Sequence, residues 1–328
     1  MDRAGRVTYG TLERDGRHSQ ADARGVLVEA GRWLMQAVQA RTRITLKNIL
    51  FATDFSQAAD AAAPMAIQIA RRYGAKVYGV HVNRFDDYTA TAPNAWAAMA
   101  EAAEKETKED VGRLNEQLQG IEHEVVIGEG NICEVMSNLI EQKEIDLIVL
   151  GTSGRTGLEK VILGSVAEQI LRQSPCPVLT VGPHVNPWSD EYVKMRKIVF
   201  ATDLATDTPV AAPYAISLAQ ENQAHLVLLH VIEDANAGDL VDSPEVVDLK
   251  ARKLQQLVTE QAGLWCDPTY IVEQGPAAEK ILDVAKRRHT DLIVMGARPA
   301  KGLATHLNIG TVHNVVSQAT CPVLTVRG

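Results

Sequence analysis

The chain has 328 residues, 46% hydrophobic and 23% charged, with a formal net charge of -8 and a pI near 5.6. That length holds about two domains of ordinary size, and the acidic balance argues against a nucleic-acid partner. The apolar runs are strand-sized, well short of the roughly 20 residues of a membrane span. The polar N-terminus has no signal-peptide core, so a cytoplasmic protein is expected. Cys133, Cys176, Cys266 and Cys321 show no CxxC spacing, which suits buried thiols in a reducing compartment.

Residues 1–45 form an N-terminal extension. Within them Val26, Leu27, Ala30, Trp33, Leu34 and Val38 recur at helical spacing over 21–41. This predicts a helix whose apolar face packs on the protein or on a partner subunit, with membrane-surface contact as the lesser alternative.

From residue 46 short β-branched runs alternate with helical segments. Strands are predicted at 48–53, 76–82, 122–127, 146–150 and 177–181, and helices at 57–73, 94–119, 132–143 and 165–173. Then the pattern returns. "KNILFATDFS" (47–56) reappears as "RKIVFATDLA" (196–205), "IDLIVLG" (145–151) as "TDLIVMG" (290–296), and "CPVLTV" occurs at 176–181 and 321–326. The expected layout is a first domain over 46–182, a linker over 183–196 and a second domain over 197–328. Strands apolar on both faces and spaced by helices imply parallel sheets covered on both sides. The predicted fold class is therefore α/β: two tandem doubly wound domains, each a five-stranded parallel sheet. Pro64 and Pro213 fall early in the first helix of each copy, where a first-turn proline is tolerated.

"GTSGRTGLEKVILGSVAEQIL" (151–171) follows the fourth strand of copy one. Gly151, Gly154 and Gly164 leave no Cβ between backbone amides and a ligand. Ser165 and Glu168 have capping-box spacing, predicting Ser165 at the N-cap and a structural role for Glu168. A helix start of this kind suits a phosphate, although glycine turns also serve only to reverse a chain. Asp54 and Asp203 end the first strand of each copy, where each either meets a ligand or shapes the following turn. Beside the loop, ligand contact is the expectation for Asp54. His81 and His230 are repeat-equivalent and are expected to be hydrogen-bonded structural histidines. GxxxxGK[ST] and GxGxxG after the first strand are absent, and no metal-ligand spacing or nucleophile–base pair stands out.

"ILFATDFS", "GVHV", "DLIVLGTSGRTGLEKVILGSVAEQIL" and "CPVLTV", in that order, resemble the universal stress protein family over both copies. Gly-x2-Gly-x9-Gly-[Ser/Thr] marks its ATP-binding members. The resemblance implies a fold of the adenine-nucleotide alpha-hydrolase-like class with ATP across the strand ends, ADP or AMP being alternatives, with or without Mg2+. It implies that Ala52, Thr53 and Asp54 flank the adenosine, with Val82 near the base. Leu150, Gly151, Ser153 and Gly154 would meet ribose and phosphates, and Gly164, Ser165 and Val166 the phosphate tail. Ala167 departs from members that carry a hydroxyl there.

Copy two reads "GARPAKGLATHLNIGTVHNVV", with Pro299 in place of Gly154 and Asn314 in place of Glu168. Proline lacks an N–H and fixes φ, so weak nucleotide binding or none is expected there. Thr311 is expected to cap its helix, and Arg298 or Lys301 could supply charge. The resemblance also implies pairing of terminal strands, here an intramolecular pseudo-dimer of the two "PCPVLTV" segments, with a homodimer left open. Three functions compete: an ATP-binding stress-response regulator, a slow ATPase or autophosphorylating protein, and an interaction module without nucleotide.

Overall fold

In a computed structural model of the chain, the described residues are 44–83, 93–152, 163–185, 195–204, 210–233, 243–259, 262, 265–297 and 306–327, without the side chains of 93–103 and 306–309. The chain divides into Met1–Thr42 and Arg43–Gly328, and the second unit holds all of the described residues. The helix expected over 21–41 and most of the expected linker, 186–194, lie outside the described residues.

The first copy runs β1 (Asn48–Ala52), α1 (Gln57–Tyr73), β2 (Lys76–Asn83), α2 (Pro93–Gln117), β3 (His123–Glu129), α3 (Ile132–Gln142), β4 (Leu147–Gly151), α4 (Ser165–Gln173) and β5 (Val178–Val181). The second runs β6 (Lys197–Ala201), α5 (Ala212–Asn222), β7 (His225–Ile232), α6 (Pro244–Gln256), β8 (Thr269–Gln274), α7 (Ala277–Arg288), β9 (Leu292–Ala297), α8 (His306–Gln318) and β10 (Val323–Arg327). Strand order is β3-β2-β1-β4-β5-β10-β9-β6-β7-β8, one continuous sheet. Every pair is parallel except β5–β10, which is antiparallel.

Alternation along each strand builds a core on both faces. Ile49 and Phe51 of β1 join the cluster under α1, α2, α5 and α6, while Leu50 joins the cluster under α3, α4, α7 and α8. Each cluster draws residues from both copies. Strand starts are set by matched carboxylates: Asp146 Oδ2 accepts from Lys47 N (2.7 Å) and Asn48 N (3.0 Å), and Asp291 Oδ2 from Arg196 N (2.8 Å) and Lys197 N (2.9 Å).

The seam pairs Leu179 with Leu324, flanked by Thr180–Val323 and Val178–Thr325. Thr180 Oγ1 donates to Val323 O and Thr325 Oγ1 to Val178 O, each at 3.1 Å. The reciprocity reflects a local two-fold relation between the copies.

Pro64 departs from expectation. It is the eighth residue of α1, not part of its first turn, because Ser56 caps the helix and Gln57 begins it. The ring faces solvent, and the Asp60 carbonyl, itself on the exposed side, loses only the amide a proline cannot supply. Pro213, the second residue of α5, is placed as expected.

Candidate functional site

Within copy one the chain leaves β1 toward β2 on one side and reaches β4 on the other, with Ala52 paired to both Val80 and Leu150. The carboxyl ends of β1 and β4 are thus a topological switch point, where open parallel sheets leave a crevice for ligands.

The turn after β1 is tightly determined. Thr53 is buried; its N–H donates to Val80 O (2.9 Å), its Oγ1 accepts from Phe55 N (2.9 Å), and its carbonyl accepts from His81 Nδ1 (2.9 Å). Asp54 Oδ1 accepts from Ser56 N at 3.0 Å. This is the turn-shaping role weighed for Asp54, and it coexists with a place at the crevice rim. These bonds hold Phe55 at φ 58, a left-handed conformation costly for a side chain of that size. Phe55 also lies against the His81 ring, with centroids 4.6 Å apart. Copy two repeats the device: Leu204 has φ 54, its N–H reaches Thr202 Oγ1 at 3.2 Å, and His230 Nδ1 meets Thr202 O at 2.9 Å.

At the end of β4, a Cβ built on Gly151 would lie 2.4 Å from Ala58 O. The residue is glycine because the first turn of α1 crosses it in contact, whatever else it does. A Cβ on Gly164 would stand 3.2 Å from Thr152 O, to which Gly164 N donates at 2.8 Å. Thr152 therefore ties both ends of the loop together. Its own Oγ1 is buried without a hydrogen-bond partner.

The predicted capping box does not form. Gly164, not Ser165, is the N-cap of α4, and no side chain caps it. Glu168 instead receives both Nε (3.0 Å) and Nη2 (2.7 Å) of Arg172, one turn on. Glu168 N donates to Gly164 O at 2.9 Å. The amides of Ser165, Val166 and Ala167 precede it and have no intrahelical acceptor.

Of the expected site residues, Ala52, Thr53 and Asp54 meet Leu150 and Gly151 at the switch point, and Gly164, Ser165 and Val166 follow through the Thr152 link. Val82 lies near the end of β2, one strand out. Leu150 points into the core, so only its backbone is available to a ligand. Ser153 and Gly154 lie outside the described residues, as do Arg298, Pro299 and Lys301. In copy two, Thr311 is the sixth residue of α8 rather than its cap, because that helix begins at His306. The open helix start of copy one is thus absorbed into the α8 ladder in copy two.

Sequence reasoning missed the turn after β3. Gly130 (φ 99) donates to Asn83 O and Gly275 (φ 121) to Ile232 O, each at 3.0 Å, tying β3 to β2 and β8 to β7 at the same edge. The signal was available: "GEGN" and "EQGP" occupy equivalent places in the two copies.

The thiols are held protonated. Burial pushes Cys321 up to about 12 and Cys266 up to about 11. Cys133 and Cys176 are half-buried and also raised by burial. Among the described residues no group of three or more His, Cys, Asp or Glu side chains is arranged to hold a metal ion. No helix among them is long and apolar enough to cross a membrane.

Comparison with known proteins agrees with this architecture. The universal stress protein family profile matches twice, at residues 45–182 and 194–327. A universal stress protein of Methanocaldococcus jannaschii is 34% identical over 138 residues, 41% of this chain and 81% of the relative. A putative universal stress protein of Staphylococcus saprophyticus is 32% identical over 144 residues, 42% of this chain and 84% of the relative. The crystal structure of a universal stress protein from Archaeoglobus fulgidus superposes with TM-score 0.63 at 19% identity, covering 87% of this chain and 98% of that one. With both halves matched, the chain belongs to the universal stress protein family.

Proposed function

We propose that copy one binds ATP at the β1/β4 switch point and that the protein acts as a nucleotide-dependent stress-response regulator rather than a fast enzyme. The carrying observation is the start of α4: uncapped by any side chain, tied through Thr152 to the end of β4, and offering three amides and the Ser165 hydroxyl to an anion. The strained Thr53–Phe55 turn forms the opposite wall, where the adenosine would sit. ADP and AMP fit the same wall with fewer phosphate contacts, and Mg2+ would accompany the polyphosphate as charge neutralisation. Copy two is proposed to hold no polyphosphate, since α8 begins ahead of Gly310. Antiparallel β5–β10 pairing supports an intramolecular pseudo-dimer, with domains bounded near 46–182 and 197–328.

The test is to denature protein purified without added nucleotide and count what is released, then titrate ATP with Mg2+. About one adenine nucleotide per chain is expected, with binding lost in Gly164→Val, whose side chain intrudes where a Cβ is already tight against Thr152 O. Two per chain would overturn the reading of copy two. Neither released nucleotide nor millimolar binding would leave an interaction module.

A second reading gains from the missing cap. Ser165 is exposed and its hydroxyl is not committed to the helix, so it could accept the γ-phosphoryl group, releasing ADP and the hydroxyl proton. Intact-mass measurement after incubation with ATP tests this: a gain of one phosphate, absent in Ser165→Ala, is the expected mark.

A further inference from the structure

The strand ladder at the seam does not by itself choose which strands it joins. β5 and β10 carry the same run, CPVLTV, at 176–181 and 321–326. The Leu179–Leu324 pair and the two threonine bonds would therefore form equally well between two β5 strands, or two β10 strands, from different chains. Partner choice must lie in residues that flank these strands and differ between the copies.

Three contacts of that kind cross the seam. Arg72, in the last turn of α1, donates through Nη1 to the carbonyl of Glu221 at the end of α5. These two residues are repeat-equivalent, 149 positions apart, so they meet on the local two-fold axis carrying opposite charges. Two copy-one faces would instead set Arg72 against Arg72, and two copy-two faces Glu221 against Glu221. At the far end of the strands, Arg327 Nη1 of β10 donates to Arg172 O in the last turn of α4. The equivalent of Arg327 is Gly182, and a Cβ built there would stand 3.2 Å from Val316 O and 3.6 Å from Ala319 O at the end of α8. α8 thus lies where a side chain from the facing strand would push it back. Two β10 strands would bring Arg327 to that place, and two β5 strands would take the guanidinium away from Arg172 O. Lastly, Ile44 N donates to Ser217 Oγ of α5 at 3.1 Å, and Ser217, 1% exposed, has the longer Gln68 as its equivalent.

We infer that the seam is a keyed interaction surface, which takes one copy-one face and one copy-two face and rejects two of a kind. The key has a charged part, Arg72 against Glu221, and a steric part, Gly182 under α8 with Arg327 over α4. An exposed contact such as that of Arg72 is worth little alone. Exchanging two mixed pairs for one pair of each kind, however, loses all of these contacts together and creates two like-charge contacts, which is how an interface suppresses wrong partners. The inference concerns only the seam and is independent of nucleotide binding in copy one.

The experiment uses the full chain with a protease site placed within the expected linker, 186–194, and cut after folding, so that both copies are present without a covalent link. Nicked protein is mixed with a 15N-labelled preparation in urea below the unfolding midpoint until the labels have redistributed. Native mass spectrometry then separates the three pairings by mass. The ratio of mixed to like pairs is expected to exceed its statistical value at least about tenfold. Arg72→Glu gives both copies an acidic residue on the axis and is expected to lower that ratio at least about threefold. Arg72→Glu with Glu221→Arg reverses the two charges across the same axis and is expected to restore it, which a merely structural arginine would not allow. Arg327→Gly removes the obstruction to β10–β10 pairing and is expected to enrich pairs of copy two. A statistical ratio in the unmutated nicked protein would overturn the proposal, and so would a ratio that both Arg72→Glu and Arg327→Gly leave unchanged.

Discussion

Thr152 and Gly151 are neighbours with opposite problems. Thr152 Oγ1 is buried beside Gly182 without a partner, so Thr152→Val removes an unmet polar group at nearly constant shape. It is expected to raise the unfolding free energy by about 1 kcal/mol in urea titrations. Gly151 has no room for even a methyl group, and Gly151→Ala is expected to cost about 2 kcal/mol or more as α1 is pushed away. Its counterpart Gly296 has nothing within 4 Å of a built Cβ, so Gly296→Ala should change stability by less than about 0.5 kcal/mol. Equal costs at the two positions would refute this account of why Gly151 is glycine. His230 adds a pH dependence. Burial, then the two lysines, hold its pKa below the usual 6.5 despite the Thr202 carbonyl. As pH falls below 6.5 the unfolded chain takes up a proton that the folded ring resists. Stability is therefore expected to fall with acidification and level off once the folded pKa is passed. Urea midpoints from about pH 7.5 to about pH 5 should show a slope that flattens in His230→Gln.

At the scale of elements, α4 and α8 show how little local sequence decides a helix start. Ser165-x-x-Glu168 satisfies the capping-box pattern, yet Glu168 is taken by Arg172 four residues on and the helix begins one residue earlier than the pattern implies. A box would make Glu168 worth about 1 kcal/mol, whereas a half-exposed i,i+4 pair is worth about 0.3–0.5 kcal/mol. Glu168→Ala is accordingly expected to cost less than about 0.5 kcal/mol, read from thermal unfolding. The strands were legible because alternation and β-branching are local properties. Ser56 and Gly74 bracket α1 as cap residues, so its ends could be read as well. Thr311 was misread because α8 starts at His306, and nothing near Gly310 marks the difference. The positive φ of Phe55 was hidden for another reason: a bulky residue adopts that conformation only when Thr53 and Asp54 hold its neighbours, and no propensity announces it.

Among the described residues beyond Thr42, the strands form one sheet with a single antiparallel step. The two core clusters run through it from one copy to the other, and Ile44, just ahead of β1, donates to Ser217 Oγ of α5 at 3.1 Å. Both copies are therefore expected to unfold in one cooperative transition. Leu324→Asp places a charge where Leu324 pairs with Leu179, and should split that transition in two by calorimetry or denaturant titration. A single unchanged transition would show that the seam contributes little. By itself the sequence determined the duplication, the strand–helix alternation, the glycine loop of copy one and its loss in copy two, because each is written in residue type and local spacing. Only tertiary structure decided that the sheets join through β5 and β10 and that Gly151 yields to a helix crossing it. Those depend on residues far apart in the chain and take meaning only once the chain is folded.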